Sequence, residues 1–134
     1  MPRVSLAFFA FAAACGAIGM GWGIYMGIAH DHSTFAAHAH LNLLGWVTAA
    51  LMGGFYALAK ERVGGRLPWI NLGFTSLGTM LMIPALAAKL KGGDAIWIEL
   101  GIAIGAFSSF FGMMTLFIAV MLAMQMKRAR NAVA

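Results

Sequence analysis

Every histidine in the chain falls within residues 30–40, as two His-x-His pairs, His30/His32 and His38/His40. The neutral imidazole nitrogen is a good metal and haem-iron donor near pH 7. On a helix, residues two apart project about 200° from one another, so neither pair can grip one ion without unwinding. The second pair runs into Leu41-Asn42-Leu43-Leu44-Gly45-Trp46, an apolar stretch expected to be helical from Ala36. His38 and His40 are therefore expected to face two separate pockets. Along the His38 face follow Asn42, Gly45 and Ala49, small or polar side chains that leave room for a flat group. Along the His40 face follow Leu43, Leu44, Val47 and Thr48, an apolar wall. An axial imidazole, a clear slot beside the helix and apolar contacts are what a haem requires. Phe35, Trp46 and the many methionines are candidates to line the slot, or serve as ordinary packing and lipid-facing residues. His30 and His32, with Asp31, are either a donor set for copper or zinc or polar groups at a helix end facing water.

The elements that must position these residues cross a membrane. The chain is 62% hydrophobic and 10% charged, where a soluble domain has about 25% charged residues. Apolar segments at about 5–29, 36–59, 69–90 and 95–126 each reach the ~20 residues that span hydrocarbon as a helix. Without alternating polarity for a closed barrel, the expected fold is an all-α integral membrane four-helix bundle in one domain. Arg3, Lys60, Arg62, Arg66, Lys127, Arg128 and Arg130 flank the N-terminus, the second connection and the C-terminus, whereas the opposite end carries Lys89 and Lys91. The positive-inside rule then makes both termini cytoplasmic and puts the histidines on the outer face, which in a bacterial inner membrane is the periplasmic side. Orientation also explains the net charge of +5, so no nucleic-acid partner is implied.

Cys15 is the only cysteine and lies in the first apolar segment, so no internal disulfide forms. Small residues recur at steps of four: Gly19, Gly23 and Gly27; Gly45, Ala49, Gly53 and Ala57; Gly101, Gly105 and Ser109. Such rows let helix backbones approach closely in lipid, and their number points to association between subunits. Pro84 is expected to kink the third helix at the depth of the histidines. Glu99, at the outer end of the fourth helix, either orients a ligand imidazole or is an interfacial charge.

The nine residues 38–46, His-Ala-His-Leu-Asn-Leu-Leu-Gly-Trp, resemble the haem-copper oxidase and nitric oxide reductase superfamily, in particular small proteins similar to a fragment of cytochrome oxidase subunit I. In the large subunit, one helix carries a His-x-His pair serving two haems. The resemblance transfers those roles to His38 and His40. That fold has twelve helices in three arcs of four, so three copies of this chain would supply twelve. The resemblance thus implies a homotrimer in which His38 of one subunit and His40 of its neighbour approach a haem b from opposite sides. Lys89 and Lys91 would then pair with haem propionates. The oxidases hold copper with three histidines on other helices, and the second half of this chain has none, so oxygen reduction to water is not implied.

The expected function is that of a membrane b-type cytochrome: electron transfer with a respiratory-chain donor, or binding of nitric oxide or oxygen if one ligand is lost. Turnover of a substrate is left open, and a cytochrome-like carrier is favoured over an oxidase. Two alternatives are a copper- or zinc-binding protein using His30, Asp31, His32, His38 and His40, and a non-catalytic assembly partner of a respiratory complex docking through its glycine seams.

Overall fold

The computed structural model describes residues 1–59 and 62–133, with side chains described through Gln125 on the last helix. Lys60 and the side chains of Lys127, Arg128 and Arg130, counted above for topology, lie outside the described residues. Four helices are long and apolar enough to cross a membrane: α1 (Arg3–Ala29), α2 (Phe35–Ala59), α3 (Leu67–Leu90) and α4 (Ile96–Val133). The expected segments recur with ends shifted by a few residues. Pro2 precedes α1, and Pro68 sits in the first turn of α3, where its missing N–H costs no helical bond. His30 ends α1 in the left-handed region at φ 50°, and Gly92 closes α3 at φ 88°. In the connector after α1, Asp31 Oδ1 accepts the Ser33 N–H at 2.9 Å.

The helices form a row. α1 packs along α2, α3 packs along α4, α2 meets α3 less extensively, and α1 touches α3 lightly. Only 22% of the apolar stretch of α4 is buried, which leaves most of its circumference to lipid or to another chain. Hydrophobic exclusion does not hold helices together in lipid, so close packing and interhelical hydrogen bonds must. Both are present. The buried Asn71 amide on α3 donates to the Tyr56 phenol oxygen on α2 at 2.8 Å, and Thr75 Oγ1 donates to Asn71 Oδ1 at 3.1 Å. Between α3 and α4, Ser108 donates to the Phe74 carbonyl at 2.9 Å.

The small-residue rows serve these contacts within one chain. A Cβ added to Gly45 would lie 2.8 Å from Cys15 Sγ, one on Gly53 2.9 Å from Phe8 Cβ, and one on Gly105 2.6 Å from the Met82 nitrogen. Association between subunits, expected from the number of seams, therefore loses that support: the rows already bring α1 to α2 and α3 to α4.

One departure from regularity matters for the histidines. α2 is α-helical over Phe35–His40 and Ala49–Ala59, but Leu41–Thr48 forms a π-helix. In an α-helix, residues four apart drift by about 40°. The wider i→i+5 turn keeps them closer to line. His38, Asn42 and Trp46 accordingly stack along α1, against Gly23, Gly19 and Gly16 in turn.

Candidate functional site

The outer end of α2 places its two histidines on different sides. His38 is half-buried and faces α1. A Cβ on Gly23 would lie 3.2 Å from His38 Cε1, and the Trp22 indole stands edge-on to the imidazole, with centroids 6.2 Å apart and planes at 78°. Asn42 Nδ2 donates to the His38 carbonyl at 2.9 Å and lies 3.4 and 3.3 Å from the two ring nitrogens. Nearly equal distances put the amide beside the ring and in line with neither nitrogen lone pair.

His40 is exposed on the outside of the chain. Its Nδ1 is 2.7 Å from the carbonyl oxygen of Ala36, one turn earlier. A carbonyl can only accept, so Nδ1 carries the proton and Nε2 keeps a lone pair directed away from the helix. This is the second-sphere bond that metal-ligating histidines commonly make. The exposed Leu43, Val47 and Leu51 continue the outer face of α2 below it.

Other expected site residues are placed differently. The slot foreseen beneath His38 is filled by α1: Asn42 lies over Gly19, and Gly45 abuts Cys15 and Thr79. Asn42 and Gly45 thus hold α1 against α2. Trp46 runs along Gly16 with 45% of its surface exposed. Glu99 does not reach an imidazole. It forms an ion pair with Lys89, both side chains about half exposed, so of the two roles left open for it the orienting of an imidazole is the one the structure does not show; His40 has the Ala36 carbonyl instead. The same pair engages Lys89, whereas Lys91 is exposed and forms no ion pair among the described residues. Its charge, after the Ser33 hydrogen bonds, helps hold the Asp31 carboxyl below the ordinary aspartate range.

His30 and His32 are exposed in the connector and do not join the second pair. Among the described residues, no three His, Cys, Asp or Glu side chains come together as a metal site. The five-residue copper or zinc set is therefore not assembled within one chain.

A groove of about 440 Å³ runs between α1 and α3, bordered by Phe11, Ile18 and Trp22 on one wall, Thr79 and Pro84 on the other, and Leu41 at its floor. Pro84 borders this groove, but neither His38 nor His40 lines it. Sequence reasoning missed Trp22 and Thr34, because their roles come from α1 and the connector folding back on α2.

No protein-family model, curated protein or solved structure matches the chain.

Proposed function

We propose that this chain is a haem b-binding integral membrane protein that carries electrons or binds a diatomic gas, with the haem held between copies of the chain. His40 would supply one axial imidazole, in a homotrimer whose histidine end faces the periplasm; His38 of another copy, whose ring lies against Gly23 of its own α1, would have to turn out of that contact to supply the second. The observation that supports this reading is the state of His40. Its Nδ1 proton is committed to the Ala36 carbonyl, while Nε2 faces outward on the apolar exterior of a membrane helix. No hydrogen bond to Nε2 is found among the described residues, so that atom is free to take an outside partner. A ligand accepting the lone pair is such a partner, and the apolar side chains on the same helix suit a macrocycle.

The chain's own residues hold the ligands and set their state. Ala36 fixes the His40 tautomer; Gly23, Trp22 and Asn42 confine the His38 ring; Lys91, whose charge is felt at Asp31 in the outer connector, would be available to a propionate. When bound, haem supplies one-electron redox chemistry or, with an axial position vacant, a site for nitric oxide or oxygen.

The test is a visible spectrum of the purified protein with mass measurement in detergent. Wild type is expected to show a Soret band and sharp reduced α and β bands at trimer mass. His40→Ala and His38→Ala should each abolish the six-coordinate signature. Absence of a Soret band in wild type, or a spectrum indifferent to either replacement, overturns the reading.

A further inference from the structure

The end of the bundle opposite the histidines holds a pocket of about 360 Å³, bordered by Arg3 and Val4 of α1, Tyr56 of α2, Gly64 in the connection, and Pro68 and Trp69 of α3. Two helices begin at it. Neither α1 nor α3 has a side-chain cap or an acidic residue in its first turn. The Pro2 carbonyl accepts the Ser5 and Leu6 N–H groups and the Arg66 carbonyl that of Ile70, which leaves the N–H groups of Arg3, Val4, Leu67 and Trp69 without a backbone partner among the described residues. Free N–H groups and the positive ends of two helix dipoles favour an anion at that point. Tyr56 adds a side-chain donor. It is 2% exposed; its oxygen accepts the Asn71 amide, and its own hydroxyl proton has no acceptor among the described residues. Arg3 supplies a full charge and enters no ion pair among the described residues. Of the four acidic residues in the chain, only Glu61 falls at this end in sequence, while Asp31, Asp94 and Glu99 belong to the other.

We infer that this pocket binds the phosphate of an anionic phospholipid headgroup. Both helices start at the pocket, so it lies where a spanning bundle leaves the hydrocarbon and meets the lipid phosphates. Trp69, half-exposed beside it, is of the aromatic type that settles at that level and would cover the glycerol. A basic pocket between membrane helices suits a lipid headgroup because charge and depth select the same group. A Cβ on Gly64 or Gly65 would meet nothing within 4 Å, so the connection there is open. Such a site is independent of haem.

The experiment uses the full chain in a non-ionic detergent, with native mass spectrometry counting bound phosphatidylglycerol, phosphatidylcholine and inorganic phosphate. One phosphatidylglycerol per chain is expected to bind, more tightly than phosphatidylcholine, and inorganic phosphate at the same concentration should not displace it. Arg3→Gln should weaken phosphatidylglycerol about fivefold, the contribution of one basic side chain toward an anionic lipid. Gly64→Asp, which sets a carboxylate in the pocket where a side chain has room, should remove the preference for the anionic lipid. Arg62→Gln makes the same charge change at the same end but outside the pocket, and should weaken binding clearly less. Each variant is compared with wild type below both unfolding midpoints, so that the differences belong to binding. Equal weakening by Arg3→Gln and Arg62→Gln, or no preference for the anionic lipid in wild type, overturns the site. Displacement by inorganic phosphate assigns the pocket to a soluble anion and overturns the lipid.

Discussion

The side chain of Asn42 lies directly over Gly19, so that any Cβ at position 19 would overlap its amide. The contact joins α1 to α2 one turn below His38. Since Asn42 also donates to the His38 carbonyl, it cannot move aside without giving up that bond. Gly19→Ala should therefore destabilise the fold by about 1–3 kcal/mol, the usual cost of overpacking. A lowered unfolding midpoint in detergent checks this. Gly27→Ala, where a Cβ meets nothing within 4 Å, serves as the neutral control.

Asn71 and Tyr56 form the polar link between α3 and α2. Tyr56→Phe removes the acceptor and leaves a buried amide donor unsatisfied, at a cost of about 1–2 kcal/mol. Asn71→Leu should cost a similar amount, and the double replacement clearly less than the sum of the two. Denaturation of the three variants in one detergent provides the comparison. Strict additivity would show that the two side chains do not work as a unit.

The π-helical Leu41–Thr48 segment sets the angular relation between the histidine turn and the rest of α2. Deleting one residue, Leu43, favours regular α geometry and turns the histidine end by about 100° relative to the segment below it. His38 then leaves Gly23. Cysteines placed by Gly23→Cys and His38→Cys should be joined by a short bifunctional thiol cross-linker in the full-length helix and escape it in the deletion, read by gel mobility.

Asp31 offers a pH test. The Ser33 backbone N–H, followed by its hydroxyl, holds the carboxyl below its ordinary value of 3.8. A lowered folded-state pKa contributes stability that is fully present above the unfolded value and lost as pH falls through the folded one. Wild type should thus lose thermal stability on acidification below about pH 4 more than Asp31→Asn, which keeps an acceptor for Ser33 but does not titrate. Parallel midpoints for the two proteins across that range would remove Asp31 from the account.

The four spans were legible because lipid leaves the backbone no alternative to helices, and the apolar stretches are bounded by Gly64-Gly65 and Gly92-Gly93. The divergence of His38 and His40 followed from helix geometry and is found, since both lie before the irregular segment begins. The fate of the residues beneath them was not legible. Asn42 and Gly45 are small and polar enough to border a ligand, but the same properties suit a tight seam, and only the position of α1 decides between these uses. The π-helix was hidden for a related reason. Asn42, Gly45, Val47 and Thr48 are weak helix formers, but weak propensity does not specify a wider turn; that turn goes with a simultaneous fit of Gly45 to Cys15 and Thr79 and of Trp46 to Gly16. The pairing of Glu99 with Lys89 was not legible either, because it depends on how α3 and α4 approach at their connection.

Although Phe8, Met52 and Tyr56 are enclosed in a core of the chain's own, the row of helices leaves broad apolar flanks, most of all along α4. A closed vessel built from such a wall takes its volume from how many walls meet, not from the length of any one. Each edge residue would then recur at every joint, so a single codon change would be felt as many times over as there are joints.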